Sequence, residues 1–464
     1  MGWTLWNKGE ADAAITYIKE AIRLDPNWAP AHNNMGLILW DKGERDRSIA
    51  CFKEAIRLDP NYASAHNNMG NVLKSKGDLD GAMASYMKAR QLDPKLANAH
   101  YGLGMILTAK DNLDGAIACF QEAIRLDPKF APAHNGLGSA LGNKRDPDGA
   151  IASFREAIRL DAKFARYHYN LGIALKTKGA VDEAIVCHKK AIQLDPEFAL
   201  AYNGLGFALG EKGDLDGAIL CFQKAIQLDP EFALAHNHLG ITLKLKGNLN
   251  EAVASFKEAI QLEPKNIQAQ RNLIQTQQWQ SLLPQLDEIV DGRNKPRTPT
   301  EACNFALLCM QTFRKQYGAA TRLYTNAFAD NPKLVNDLDN VHRYNAACCA
   351  ALAGCGKGVD APDDVDARLA LRHQSLEWLR ADLTSLTSLA RSNPAARQFV
   401  AQQMGHWLVD TDLMGVRPGP DRIKMSTKEQ GEWDALWMDV RALLAETQKP
   451  TSPRPTAPPP REVK

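Results

Sequence analysis

Histidine and cysteine are the residues of this chain best suited to metal or redox chemistry, and both recur with a fixed spacing. The histidines stand 34 residues apart, or twice that, at His32, His66, His100, His134, His168 and His236. The cysteines in step with them are Cys51, Cys119, Cys187 and Cys221. A metal site needs ligands that converge, whereas this spacing places each side chain in a separate structural unit. We therefore predict that these residues pack between helices.

Other signs of chemistry are incomplete. Cys348, Cys349 and Cys355 cluster but lack a Cys-x2-Cys pair. The stretches GLGSALG and GLGFALG miss the spacing of a nucleotide-binding loop and follow no strand pattern. The HRD and DFG motifs of protein kinases are absent from the sequence. We predict that the chain is not an enzyme and binds no metal and no cofactor.

A column of amide and phenol side chains has the pattern of a binding surface. Asparagine offers both a donor and an acceptor, which match the C=O and N–H of a peptide backbone whatever its sequence. Lysines on the same helix face would attract acidic side chains or a terminal carboxylate. The predicted binding residues are Asn33, Asn34, Asn67, Asn68, Lys74, Tyr101, Asn135, Tyr169, Asn170, Lys176, Asn203, Asn237 and Lys244. The alternative is a polar stripe that faces solvent, with solvated lysines.

A repeat of 34 residues must position these side chains. Its prolines are Pro26, Pro60, Pro94, Pro128, Pro196, Pro230 and Pro264, with Ala162 in the one gap. Its glycines are Gly36, Gly70, Gly104, Gly138, Gly172, Gly206 and Gly240. Its aromatics are Phe52, Tyr86, Phe120, Phe154, Phe222 and Phe256, with His188 as the exception. Positions that stay in phase over so many periods indicate tandem copies of one structural unit.

The residue types predict helical hairpins. A glycine inside a helix costs about 1 kcal/mol relative to alanine, so the repeated glycines require a packing reason. We expect the two helices of each hairpin to approach closely at the glycine, with the aromatic filling the space between hairpins. The proline ends the second helix. Lys-Gly turns such as Lys42-Gly43 supply a left-handed residue at the end of the first helix.

These positions resemble the tetratricopeptide repeat (TPR) over residues 1–266. Complete repeats begin at Ala29, Ala63, Ala97, Ala131, Ala165, Ala199 and Ala233. The resemblance implies an all-α solenoid, a right-handed superhelix whose first helices line a concave face. It also implies that the repeated histidines occupy a site where the family prefers an aromatic. In the O-GlcNAc transferase family, the asparagines that bind an extended peptide stand one position later in each repeat. In this chain Gly102, Gly136 and Gly204 occupy that later position in three of the repeats.

Composition narrows the class of partner. The chain is 45% apolar and 24% charged, as in soluble globular proteins, and its formal net charge is +2. No run of like charge points to nucleic acid, and no run approaches the roughly 18 apolar residues of a membrane span. The nine cysteines form no disulfide framework and favour a reducing, cytoplasmic compartment. We predict a protein or peptide partner, with no nucleic acid and no membrane.

The repeat phase also predicts the domain organisation. One period before Gly36 is Gly2, so residue 1 falls inside a first helix, which predicts a truncated repeat at 1–28 and further chain upstream. Seven repeats follow at 29–266, then capping helices at 267–290. A helical region with degenerate TPR-like hairpins is predicted at 300–445, and a disordered Pro-rich tail at 446–464. The polar insert GKGVDAPDDVD has the length of a mobile loop.

Two functions follow from this pattern. The first is a non-enzymatic scaffold that binds an extended peptide or a partner protein on the concave surface. The second rests on the stretches RYNAACCAALAGCG, LEWLRADL and the pair WLVDTDLMGVR and EWDALWMDV. These resemble modules that follow TPR arrays in large bacterial proteins, some of which carry an N-terminal serine/threonine kinase domain. The chain would then be the substrate-recruiting part of such an enzyme. Self-association through exposed solenoid ends is a third alternative.

Overall fold

The computed structural model describes Trp6, residues 11–336 and residues 341–448, and in these ranges every regular element is a helix. Second helices of the repeats (odd numbers) alternate with first helices (even numbers). They are α1 Ala11–Leu24, α2 Ala29–Asp41, α3 Arg45–Leu58, α4 Ala63–Ser75, α5 Leu79–Leu92, α6 Ala97–Ala109, α7 Leu113–Leu126, α8 Ala131–Asn143, α9 Pro147–Leu160, α10 Ala165–Thr177, α11 Val181–Leu194, α12 Ala199–Glu211, α13 Leu215–Leu228, α14 Ala233–Lys246 and α15 Leu249–Leu262. The remaining helices are α16 Ile267–Leu282, α17 Leu286–Val290, α18 Pro299–Cys309, α19 Tyr317–Asp330, α20 His342–Gly354, α21 Val365–Ser392, α22 Arg397–Val409 and α23 Thr427–Gln448. The predicted all-α solenoid is confirmed.

The chain divides into two compact units, residues 1–239 and residues 240–464, and the division falls inside α14. Most of the predicted first helix of the truncated repeat lies outside the described residues, as does the tail after Gln448. Helix α23 continues to Gln448, beyond the predicted start of the tail at residue 446.

Local sequence signals set the helix ends in the first unit. Asp or Asn caps the second helices of four repeats, where its side chain accepts a hydrogen bond of 2.9–3.0 Å from the backbone N–H three residues later. The turn glycines Gly43, Gly77, Gly179 and Gly213 have φ between 80° and 85°, as the Lys-Gly turns predict. Asp111 and Arg145 adopt the same left-handed conformation in the two repeats that lack this glycine.

Each repeated ring packs against the glycine of its own repeat, and Tyr86, Phe120 and His188 also pack against a glycine of the next repeat. A Cβ added to Gly104 would lie 2.7 Å from Cε1 of Phe120, and one added to Gly136 would lie 2.5 Å from the same atom. Tyr86 lies between Gly70 and Gly102 in the same way. These three rings therefore join their own hairpin to the next, and at these joints a glycine avoids overlap between a Cβ and the ring.

Two further ladders join the hairpins of the first unit. Lysines near the ends of first helices bind aspartates of the preceding second helix at 2.5–2.7 Å, in the pairs Lys42–Asp12, Lys76–Asp46, Lys110–Asp80, Lys144–Asp114, Lys178–Asp148 and Lys212–Asp182. The repeated histidines donate through Nε2, at 3.0–3.2 Å, to the backbone carbonyl six residues earlier. Their role is thus a hydrogen bond to the preceding loop, which the packing prediction did not include.

The second unit has larger cores and buried ion pairs. One core contains Trp279, Phe305 and Tyr324, and another contains tryptophans from α22 and α23. The guanidinium of Arg372 makes two hydrogen bonds to the Glu429 carboxylate, at 2.6 and 3.1 Å, and a third to the carbonyl of Gly354. Both members of the pair are buried. Long-range contacts of this kind hold α21 to α23.

The polar insert of the second unit is held by hydrogen bonds to two of its aspartates, one near its middle and one near its end. The Asp360 carboxylate accepts hydrogen bonds from the backbone N–H groups of Gly318 and Ala319, at 3.0 and 2.7 Å, and so caps α19. Asp364 caps α21 through the backbone N–H of Ala367 at 2.8 Å. These hydrogen bonds therefore anchor a segment whose length predicts a mobile loop.

Candidate peptide-binding surface

The predicted binding residues of the first unit lie on its first helices, α2, α4, α6, α8, α10, α12 and α14. We call the position three residues before each repeated glycine the amide column. It contains Asn33, Asn67, Tyr101, Asn135, Tyr169, Asn203 and Asn237. We call the following position the adjacent column. It contains Asn34, Asn68, Gly102, Gly136, Asn170, Gly204 and His238.

The structure brings the two columns together between consecutive repeats. Nδ2 of Asn68 donates to Oδ1 of Asn33 at 3.0 Å. Nδ2 of Asn170 donates to Oδ1 of Asn135 at 2.8 Å. Nδ1 of His238 lies 2.9 Å from Oδ1 of Asn203. Because a carboxamide oxygen only accepts, this histidine nitrogen carries the proton. The amides therefore tie one first helix to the next.

Burial separates the predicted residues into two groups. The side chains of Asn33, Asn67, Asn203 and Asn237 belong to residues that are 4–7% exposed. By contrast, Asn34, Asn68, Asn135, Asn170, Tyr101 and Tyr169 are partly exposed. The buried group lies in the joints between repeats, and the partly exposed group is what a ligand can reach.

The tyrosines of the amide column precede a glycine of the adjacent column by 35 residues, the separation at which Asn33 bonds to Asn68. Tyr101 precedes Gly136, and Tyr169 precedes Gly204. The Tyr101 ring lies 5.9 Å from the ring of Phe120, within the range of a favourable aromatic contact. Asn67 likewise precedes a glycine, Gly102, by 35 residues. Its Oδ1 is buried and has no hydrogen-bond partner among the described residues.

The predicted lysines have different environments. Lys74 is partly buried on α4, and none of the described carboxylates lies within ion-pair distance of it. Burial lowers the pKa of its ammonium group. In α10, Nζ of Lys176 lies 3.9 Å from the ring centre of Phe207, which is a cation–π contact. Lys244 belongs to the second unit, where it is 9% exposed and donates to Oε1 of Gln275 at 3.0 Å.

Sequence reasoning missed one residue of this surface, Asn71, and the buried tyrosine that bonds to it. The hydroxyl of Tyr86 donates to Oδ1 of Asn71 at 2.7 Å. Most other repeats have an apolar residue where Asn71 stands, and phenylalanine is the usual ring where Tyr86 stands. Two polar departures from the consensus within one repeat are a signal that the sequence contains. Only the fold shows that the two side chains meet.

One joint of this surface contains a buried histidine. His188 replaces the repeated aromatic and is 0% exposed, and neither ring nitrogen has a hydrogen-bond partner among the described residues. A Cβ added to Gly172 or Gly204 would lie 2.7 Å from its Cε1. Burial, with a smaller contribution from the charge of Lys176, lowers the pKa of His188 to about 4. The imidazole is therefore neutral at physiological pH.

The described ranges contain no cluster of three or more histidine, cysteine or acidic residues that could hold a metal ion. Among the helices of those ranges, none has both the length and the apolar character that crossing a bilayer requires.

Comparisons with known proteins place the chain in a family. Models of the TPR repeat match residues 38–76, 70–110, 147–179, 176–213 and 209–247. Models of the tetratricopeptide repeat match residues 1–27, 97–130 and 233–266. Together the matches span more than half of the chain. A search of curated proteins finds no match.

Several solved structures are similar. A chain of the APC/C hetero-tetramer Cut9-Hcn1 is 18% identical with a TM-score of 0.51, over 59% of this chain and 54% of that chain. This chain thus spans about half of that one, and the likeness is one of fold. YrrB, described as a TPR protein with an unusual peptide-binding site, is 28% identical with a TM-score of 0.33, over 40% of this chain and 95% of its own. MamA is 31% identical with a TM-score of 0.32, over 36% of this chain and 97% of its own. From the repeat matches and the helical hairpins, we conclude that this chain belongs to the tetratricopeptide-repeat family.

Proposed function

We propose that this interaction scaffold binds an extended segment of a partner protein on the first-helix surface of its first unit. The observation that supports the proposal is the row of partly exposed amides held between repeats. Asn68 and Asn170 are each fixed by a hydrogen bond to the preceding repeat. Side chains fixed before binding lose little rotamer freedom when a ligand arrives, which favours affinity.

The amides retain the bonding capacity that a peptide needs. Asn170 donates one N–H of Nδ2 to Asn135, which leaves its second N–H and its Oδ1 for a ligand. Neighbouring helices pack about 8–10 Å apart, and an extended chain rises roughly 3.3 Å per residue. One repeat would therefore address about every third residue of the peptide, through its backbone and with little regard to its side chains.

Co-purification with a triple variant tests the proposal. Asn34→Ala, Asn68→Ala and Asn170→Ala together remove three of the partly exposed amides. The control changes three exposed amides of second helices, Gln121→Ala, Gln193→Ala and Gln227→Ala. We expect the first variant to lose proteins that wild type and control retain after pull-down from native lysate and mass spectrometry. An unchanged set of partners, with helical content preserved by circular dichroism, would refute the proposal.

The recruiting part of a larger enzyme, such as a serine/threonine kinase, is a second candidate that rests on the C-terminal resemblance. This candidate function uses the same surface. It predicts that the proteins retained in the pull-down include phosphorylation substrates. Self-association would instead appear as a concentration-dependent mass in light scattering, unaffected by the triple change.

A further inference from the structure

We propose that a basic cleft in the second unit binds the phosphate group of a phosphorylated partner protein. The cleft lies between the loop 292–298 and helix α19, and its volume is about 490 Å³. Its cationic lining residues are Lys295, Arg297 and Arg322. Because the cleft contains no residue of the first-helix surface, the inference goes beyond the function proposed above.

The positive charges of the basic cleft are not balanced by acids of the fold. Within the described residues, no carboxylate lies within ion-pair distance of its cations. Arg293 of the same loop is instead paired with Asp291 at 2.8 Å and does not line the cleft. Asp330 is the one acidic residue of the described lining, and Glu301 accepts a hydrogen bond from the backbone N–H of Arg297. A local excess of positive charge remains, although the net charge of the chain is only +2.

The hydrogen bonds already made in the basic cleft leave free donors. Nη2 of Arg322 donates to the carbonyl of Val290 at 2.9 Å, which holds the guanidinium and leaves its other N–H groups for a ligand. Oδ1 of Asn294 accepts from the next backbone N–H at 2.8 Å, so its Nδ2 remains a donor. Oγ1 of Thr298 accepts from the N–H of Glu301 at 3.1 Å, so the hydroxyl hydrogen also remains. This set of donors selects an anion over a neutral group.

Phosphate suits this set of donors better than a carboxylate does. A phosphate ester carries a charge of about −1.5 to −2 at pH 7 and has three strong acceptor oxygens. The planar guanidinium of an arginine binds two such oxygens through parallel N–H groups. Arg297 and Arg322 supply two guanidinium groups, and Lys295 adds a third positive charge. A carboxylate, with one charge and two oxygens, would leave much of this capacity unused.

The lining favours a phosphorylated protein over nucleic acid. Single-stranded nucleic acid is bound by a long positive groove with aromatic side chains on which the bases stack. None of the lining residues that the structure describes is aromatic. Partly exposed apolar residues stand beside the cations instead, among them Val290, Pro296 and Pro299. These suit the apolar side chains that can flank a phosphorylated residue.

Fluorescence anisotropy with the full chain tests the basic cleft. The probes are fluorescein-labelled peptide amides (Gly-Ala)3-X-(Gly-Ala)3-NH2, in which X is phosphoserine, glutamate or serine. We expect the phosphoserine peptide to bind about tenfold more tightly than the glutamate peptide, since it forms more charge-assisted hydrogen bonds. Arg322→Gln should weaken its binding about tenfold. Arg322→Lys should weaken it less, because lysine keeps the charge but not the paired N–H groups.

Arg293→Gln is the matched control, since it removes the same charge from the same loop at a residue outside the cleft. We expect it to leave the affinity for the phosphoserine peptide unchanged. Equal losses for Arg293→Gln and Arg322→Gln would mean a general charge effect and would overturn the proposal. Equal affinity for the phosphoserine and glutamate peptides would overturn it as well, and so would a lack of binding by all three.

Two competitors identify the source of the phosphate. Inorganic phosphate that displaces the peptide at a concentration equal to the peptide's own Kd would make free phosphate the ligand. An oligothymidylate that binds more tightly than the phosphoserine peptide and depends on Arg322 would make it nucleic acid. Either result would overturn the assignment to a phosphorylated protein. None of these outcomes decides the proposed function, because the triple asparagine variant tests that function on other residues.

Discussion

The first unit and the C-terminal part of the second unit solve the same packing problem in opposite ways. In the first unit most joints reuse one small set of contacts: a ring against the glycine of its own repeat, an exposed Lys–Asp pair and a histidine bonded to a loop carbonyl. In the second, stability is concentrated in tryptophan-rich cores and in buried pairs such as Arg372–Glu429. A repeated joint leaves one face of each hairpin free for a partner, whereas a concentrated core uses the helix faces to stabilise itself.

The largest effect is expected from a substitution that disrupts the C-terminal core. Glu429→Ala leaves the Arg372 guanidinium buried without its carboxylate, which should reduce the free energy of unfolding of the second unit by about 3–5 kcal/mol. Urea denaturation followed by tryptophan fluorescence would measure it. A change below 1 kcal/mol would mean that the pair is hydrated and that the contrast between the units is overstated.

His188→Phe sharpens the comparison within the regular joints. The pKa of His188 is about 4 in the folded protein, below the value of 6.5 for an unperturbed histidine. Protonation therefore favours unfolding, and wild type should lose stability as the pH falls from about 6.5 to 4. The phenylalanine variant should lack the part of this loss that His188 causes, roughly 3 kcal/mol at pH 4. If the stabilities of the two proteins change equally with pH between pH 4 and 8, the buried and unpaired state of the His188 imidazole is contradicted.

Gly104→Leu tests whether the ring contact closes the joint. A Cβ at Gly104 would already overlap the ring of Phe120, so a larger side chain should destabilise the first unit by about 1–3 kcal/mol. Gly405→Leu is the control, because nothing lies within 4 Å of a Cβ added to that helical glycine. Thermal unfolding measures both. If the two substitutions have the same effect, helix propensity and not ring packing explains the repeated glycines.

Removal of an exposed Lys–Asp pair should have the smallest effect on stability. Asp46→Ala removes one Lys–Asp contact between consecutive repeats. Since both side chains are largely solvated, the melting temperature should change by little more than the experimental error. A clear fall in melting temperature at low ionic strength that disappears in 1 M salt would give the ladder a larger role than we assign to it.

The sequence predicts the fold well because its signals are local and repeated. Glycine, aromatic and proline positions in phase determine helix ends and hairpin packing, and they do not depend on distant residues. The site is less predictable. The burial of Asn33 and Asn203 in joints depends on how consecutive hairpins pack. The orientation of Asn71 depends on a contact between the two helices of one hairpin. In the second unit, Arg372 meets Glu429 across 57 residues, and no local pattern encodes such a pairing.

Site-specific photocrosslinking in cells tests the central claim most directly. Ile173 on the first helix α10 is 40% exposed, and Leu220 on the second helix α13 is 67% exposed, so both accept a benzoylphenylalanine without entering a core. We predict that the probe at Ile173 crosslinks a partner protein and that the probe at Leu220 does not. Crosslinks from Leu220 alone would place the partner on the second helices and contradict the account.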